Sequence, residues 1–186
     1  RGGCSEEEAT QINGRSLMML SKGISSGFGC VLFPEGTSHD ESSMLRFRTG
    51  PFRTVFAAAA LAKASNKTLP AVIPIGLHFR EREKFRTDVW VEYGLPHNLS
   101  EGEIPLDLVQ AVSQGKWVEP PAENVFALRD KLRTRLVPLT PNTASWEEYD
   151  ALHLMGHVES RRTNQPLISW REEVQSARAL RTLLQH

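Results

Sequence analysis

Apolar positions recur at helical spacing along much of the chain. Ala9, Ile12, Leu17, Leu20 and Ile24 fall on one stripe. Ser5-Glu6-Glu7-Glu8 opens that stripe as a capping box, and Gly27 and Gly29 close it. A second helix starts at Gly50-Pro51, with Phe52, Val55, Phe56, Ala59 and Ala60 on its buried face. Three more helices are expected near residues 122–137, 146–160 and 170–184. Ser145…Glu148 and Ser169…Glu172 are capping-box signals at the start of the last two.

Between the first helices the pattern changes. Cys30-Val31-Leu32-Phe33 is short, apolar and bounded by Gly and Pro, as a buried strand is. Ala71–Leu77 reads as a second strand despite Pro74, which lacks an N–H for the ladder. Val89–Tyr93 reads as a third, closed by Gly94 and Pro96. Strand, helix, strand at this spacing predicts a right-handed βαβ unit. The expected fold class is therefore α/β, a mostly parallel sheet flanked by helices. Ser100–Pro121 is polar and reads as loop, leading into a helical C-terminal extension.

Composition narrows the function. The 186 residues suit a single core, with 40% hydrophobic and 24% charged. Lys+Arg equals Asp+Glu at 22 each, so a non-specific nucleic-acid binder, which needs excess positive charge, is disfavoured. Cys4 and Cys30 fit no metal spacing and no disulfide framework; both read as buried free thiols in a reducing compartment. The longest apolar runs fall well short of the roughly 20 residues a membrane span needs. The first residue is Arg1, and a fragment is expected.

Chemistry concentrates after the first predicted strand. Phe33-Pro34-Glu35-Gly36-Thr37-Ser38-His39-Asp40 leaves its carboxyl end, where α/β folds place ligands. Arg46 and Arg48 precede the Pro51 helix, and cations beside a helix N-terminus suit a phosphate. Glu35 would repel an anion but suits a hydroxyl donor or a neighbouring arginine. A ligand with a phosphate and free hydroxyls satisfies the set. So does a polar turn with a solvated Glu and two surface arginines. Arg80, Arg82, Lys84 and Arg86 alternate with Glu81 and Glu83, and in an extended strand all four cations would share a face. That face would meet acidic headgroups or coenzyme A phosphates, or form a solvated, salt-bridged edge. Trp117, Trp146 and Trp170 suit either interfacial anchors or helix packing.

Phe33–Thr37 resembles the F-P-E-G-T/G block of the phospholipid/glycerol acyltransferases. Phe33–Gly50 is similar to the F-P-E-G-G-S-H-D…L-P-L-K-A-G form of the fungal-type glycerol-3-phosphate/dihydroxyacetone-phosphate acyltransferases and their bacterial relatives, with Arg48 at the lysine position. Val72–Leu77 resembles the V-I-P-V-G block, His78–Gly94 the H-K-F-R-S…V-V-E-F-G stretch, and Leu139–Thr143 the V-T-x-N-A turn.

This resemblance implies transfer of a fatty acyl group from acyl-CoA or acyl carrier protein to the sn-1 hydroxyl of glycerol-3-phosphate. The alternatives are a 1-acyl-glycerol-3-phosphate acyltransferase and a non-catalytic lipid- or phosphate-binding module. It implies that Glu35, Gly36, Thr37 and Ser38 hold the acceptor. Arg48, with Arg46 and Arg1, would neutralise its phosphate, and Pro74 would shape a pocket wall. No cofactor is implied beyond the acyl donor as co-substrate. The implied partners are the acceptor, the donor and a membrane surface, with location at the cytoplasmic face. Residues 1–99 would be the C-terminal part of the acyltransferase α/β domain, and residues 100–186 a linker and helical extension. The family's catalytic H-x-x-x-x-D block is expected upstream: no histidine here has Asp five residues later, so this piece alone is expected to be inactive.

Overall fold

A computed structural model describes residues 5–184. These form two units, each with its own core. The first comprises the chain up to Thr37, Phe47–Ile73 and Pro96–Arg133; the second comprises Ser38–Arg46, Pro74–Leu95 and the chain from Thr134.

In the first unit, helix α1 (Glu6–Ser25) begins at the capping box read from the sequence. Ser5 Oγ accepts from the Glu8 N–H at 3.2 Å, and the Glu8 carboxylate accepts from the Ser5 N–H at 2.9 Å. Helix α2 (Gly50–Ala64) packs between α1 and a short α3 (Leu106–Ser113). Its alanines explain the close fit: Ala57, Ala58, Ala59, Ala60 and Ala62 are fully buried. Buried Ser21 of α1 donates to the carbonyls of Leu17 and Thr54. Strand β1 (Ala71–Val72) pairs antiparallel with β4 (His97–Asn98), and α4 (Ala122–Leu136) buries Val125, Leu128 and Leu132.

In the second unit, β2 (Ile75–Phe79) and β3 (Val89–Tyr93) form an antiparallel hairpin, with Leu77 opposite Val91 and His78 opposite Trp90. A 3-10 turn at Val137–Leu139 packs against β2, and α5 (Trp146–Arg162) packs against α6 (Trp170–Leu184). The His78/Trp90 face of the hairpin meets α6, where the Trp170 indole N–H donates to the His78 carbonyl at 2.9 Å. The opposite face leaves Leu77, Phe79, Val89, Val91 and Tyr93 exposed.

The expected α/β class with a mostly parallel sheet is overturned. The described residues hold only two antiparallel strand pairs. Cys30–Phe33 forms no strand, and Val31 and Phe33 are about 70% exposed. Without that strand no βαβ unit exists among the described residues. Pro74 cannot donate to a ladder, and the Ala71–Leu77 strand breaks there into β1 and β2. Nine residues join β2 to β3, too few for the crossover of a dozen or more that parallel pairing needs. The Ser100–Pro121 stretch is not all loop, because α3 buries Leu108 and Val112 one turn apart. Cys30 is exposed rather than buried, and Cys4 lies outside the described residues.

Candidate functional site

The Pro34–Thr37 segment turns back at Gly36, whose N–H bonds to the Phe33 carbonyl at 3.2 Å. Gly36 has φ of 69°, a left-handed conformation glycine adopts without steric cost. The Arg48 N–H donates to the Pro34 carbonyl at 2.7 Å, drawing the segment before α2 onto the turn. A Cβ on Gly36 would lie 3.0 Å from Arg48 Cγ. The fold thus brings Glu35, Gly36 and Thr37 together with Arg48. Glu35 is half-buried, while Thr37 and Arg48 are exposed and accessible to a ligand. Phe47, buried against Phe52 and under the Arg133 guanidinium, anchors Arg48 from one side.

The other predicted site residues are placed separately. Ser38 and Arg46 are exposed members of the second unit. Pro74 is buried at the foot of the hairpin, where its carbonyl accepts from the Gly94 N–H at 2.8 Å. Arg1 lies outside the described residues.

A groove of about 590 Å3 opens in the second unit, between the 39–44 loop, the hairpin and the start of α5. Arg80, Arg82 and Lys84 line it, but so do Asp40, Glu41, Glu81, Glu83 and Asp150, so its charge is net acidic. The cations are paired: Arg80 with Asp88 and Glu173, Arg82 with Asp40, and Lys84 with Glu81. Residues 80–88 are a connecting turn with Arg86 at φ 61°, so the four cations do not line up on a strand face. The solvated, salt-bridged reading fits this segment, and the phosphate-facing reading does not. The tryptophans are packing residues: Trp117 covers Gly14 of α1, Trp170 is buried, and Trp146 carries the Arg82 guanidinium.

Sequence reasoning missed a charged cluster in the second unit. Arg178 grips Glu92 with two bonds, at 2.8 and 2.6 Å, and His78 Nε2 lies 3.1 Å from the same carboxylate. The Arg178 bonds hold the Glu92 carboxyl below its ordinary range. Burial pulls the His78 imidazole down, against the pull of Glu92, so the ring stays neutral near pH 7. Glu92 and Arg178 stand far apart in the chain, so no local spacing links them. Nearby, burial and the Asp150 charge push the Tyr149 phenol up to about 12, and burial lowers His153.

Over 145 residues, 75% of its length, the chain is 35% identical to glycerol-3-phosphate O-acyltransferase 2 of Saccharomyces cerevisiae. Over 124 residues, 66% of its length, it is 28% identical to glycerol-3-phosphate O-acyltransferase 1 of the same yeast. It spans only 16% and 14% of those relatives. No protein-family profile and no solved structure matches the chain.

Proposed function

We propose, from the membership of this chain in the glycerol-3-phosphate acyltransferase-related family, that it is the acceptor-binding portion of an enzyme acylating the sn-1 hydroxyl of glycerol-3-phosphate. The observation that carries this reading is the relationship to two proteins bearing that name, and the Glu35-Gly36-Thr37 turn held against Arg48 supports it. In the reaction the hydroxyl oxygen attacks the thioester carbonyl of an acyl donor. A C–O bond forms, the C–S bond breaks, and the thiol leaves. A histidine base outside residues 1–186 takes the hydroxyl proton and delivers it to the departing sulfur. Glu35 accepts a hydrogen bond from the acceptor's second hydroxyl and so orients the first. Arg48, with its flat fork of donors, binds the phosphate. The donor is acyl-CoA or acyl carrier protein.

Substitution tests the assignment. In the full-length protein, Arg48→Ala raises the KM for glycerol-3-phosphate by roughly ten- to a hundredfold, the loss of a charge-assisted bond. Glu35→Ala lowers kcat/KM for the acceptor by a similar factor. Both variants keep the KM for the acyl donor. Wild-type kinetics in both would remove the acceptor role from this turn.

We also assign the protein to the cytoplasmic face of a membrane, because an acylated product is apolar enough to partition into a bilayer. Among the described residues no helix is long and apolar enough to cross one. Recovery of the full-length protein entirely in the supernatant after cell fractionation would contradict this location.

A further inference from the structure

A small cavity lies inside the second unit, between the hairpin, the 140–143 segment, α5 and α6. Its volume is about 20 Å3, and His78, Thr143, Tyr149, Leu152, Arg178 and Arg181 are among the residues that line it. No carboxylate among the described residues does so. A water molecule needs about 10–15 Å3 of such space, so the void admits one water-sized particle.

Two polar side chains of the wall are incompletely satisfied. Thr143 is 4% exposed, and its hydroxyl has no hydrogen-bond partner among the described residues. Arg181 is buried too. Its Nη1 donates to the carbonyls of Thr140, at 3.3 Å, and of Pro141, while Nε and Nη2 make no bond among the described residues. No carboxylate described here pairs with it. Burial and the neighbouring Arg178 charge press the Arg181 pKa down, and Glu148 offsets them only from beyond ion-pair distance. Arg178 differs, because Glu92 neutralises it through two bonds. A buried charge without a counter-charge is costly.

Water in the cavity would bond the Thr143 hydroxyl but leave the Arg181 charge uncompensated. A small anion does both, accepting from the hydroxyl and from the guanidinium. We propose that this cavity is a binding site for a single halide ion, chloride under ordinary conditions, held by Arg181 and Thr143. The Tyr149 phenol, kept protonated by burial, lines the same wall as a further O–H donor. Phosphate, sulfate and glycerol-3-phosphate are too large for the void, so the site is separate from the acceptor turn and does not depend on it. The ion ties α6 to the 140–143 segment and so stabilises the second unit when bound.

The test is thermal unfolding of the full-length protein in sodium chloride, sodium bromide and sodium gluconate at matched ionic strength. The midpoint is expected to rise with chloride and with bromide but not with gluconate, whose anion cannot enter the cavity. Thr143→Val keeps the side-chain shape and deletes the hydroxyl. It should need roughly tenfold more chloride for the same rise, the worth of one bond to a charged group. Arg181→Gln should abolish the chloride-dependent part of the rise. Crystals of the full-length protein soaked in bromide should show an anomalous peak between Arg181 and Thr143, a readout that stands even where a variant fails to fold. Equal midpoints in chloride and gluconate overturn the proposal. So does a chloride effect that is unchanged in both Thr143→Val and Arg181→Gln, which would place the ion elsewhere. A cavity holding only water in the bromide-soaked crystal overturns it as well.

Discussion

At residue scale the Gly36 position is the most constrained point of the candidate site. Its φ of 69° disfavours any side chain, and a Cβ would press on the Arg48 stem. Gly36→Ala should therefore cost about 1–2 kcal/mol of local strain and shift Arg48, raising the acceptor KM more than the donor KM. The Glu92 cluster makes a separate prediction about pH. His78 and His153 have lowered pKa values in the fold, so their contribution is fully present above pH 6.5, their ordinary value, and is lost as pH falls below it. Glu92 is also lowered, so its contribution is present above pH 4.5 and is lost as pH falls further. All three act with the same sign, and the unfolding midpoint should drop steadily on acidification from pH 7. Glu92→Gln should lower stability at pH 7 by roughly 2–3 kcal/mol, because Arg178 loses its charged partner while part-buried. A flat stability profile between pH 7 and 4 would show that the cluster contributes nothing.

At element scale, β2 depends on a close approach. A Cβ on Gly76 would come within 2.3 Å of the Leu139 carbonyl oxygen, a backbone atom that cannot swing aside. Gly76→Ala should destabilise the second unit by about 2–3 kcal/mol, seen as faster amide exchange in β2 and β3. Unchanged exchange there would contradict the packing of Val137–Leu139 on the strand. The helices were largely legible because their signals are local: Ser5, Ser145 and Ser169 each accept from the N–H three residues on. Pro51 at the start of α2 is equally local. The strands were legible as apolar runs but not as a sheet, since pairing depends on partners the run does not name. Cys30–Phe33 is the clearest case, an apolar stretch that finds no strand partner among the described residues. Helix α3 escaped notice because its eight residues bury only Leu108 and Val112 within a polar, glycine-flanked stretch.

At the scale of the whole molecule, the ordered blocks after Phe33 carried the family, and the yeast relatives bear that family out. The same blocks carried no reliable fold class, because a motif specifies side-chain chemistry while topology follows from connection lengths such as the nine residues between β2 and β3. Nor did they reveal the Arg178–Glu92 pair, which joins residues 86 positions apart. The central claim is acylation of glycerol-3-phosphate, and one measurement addresses it most directly. Membranes carrying the full-length protein would be given labelled acyl donor, first acyl-CoA and then acyl carrier protein, with glycerol-3-phosphate and 1-acyl-glycerol-3-phosphate offered separately. The account predicts label in 1-acyl-glycerol-3-phosphate formed from the first acceptor. Label entering only the second acceptor, or neither acceptor with either donor, would contradict it.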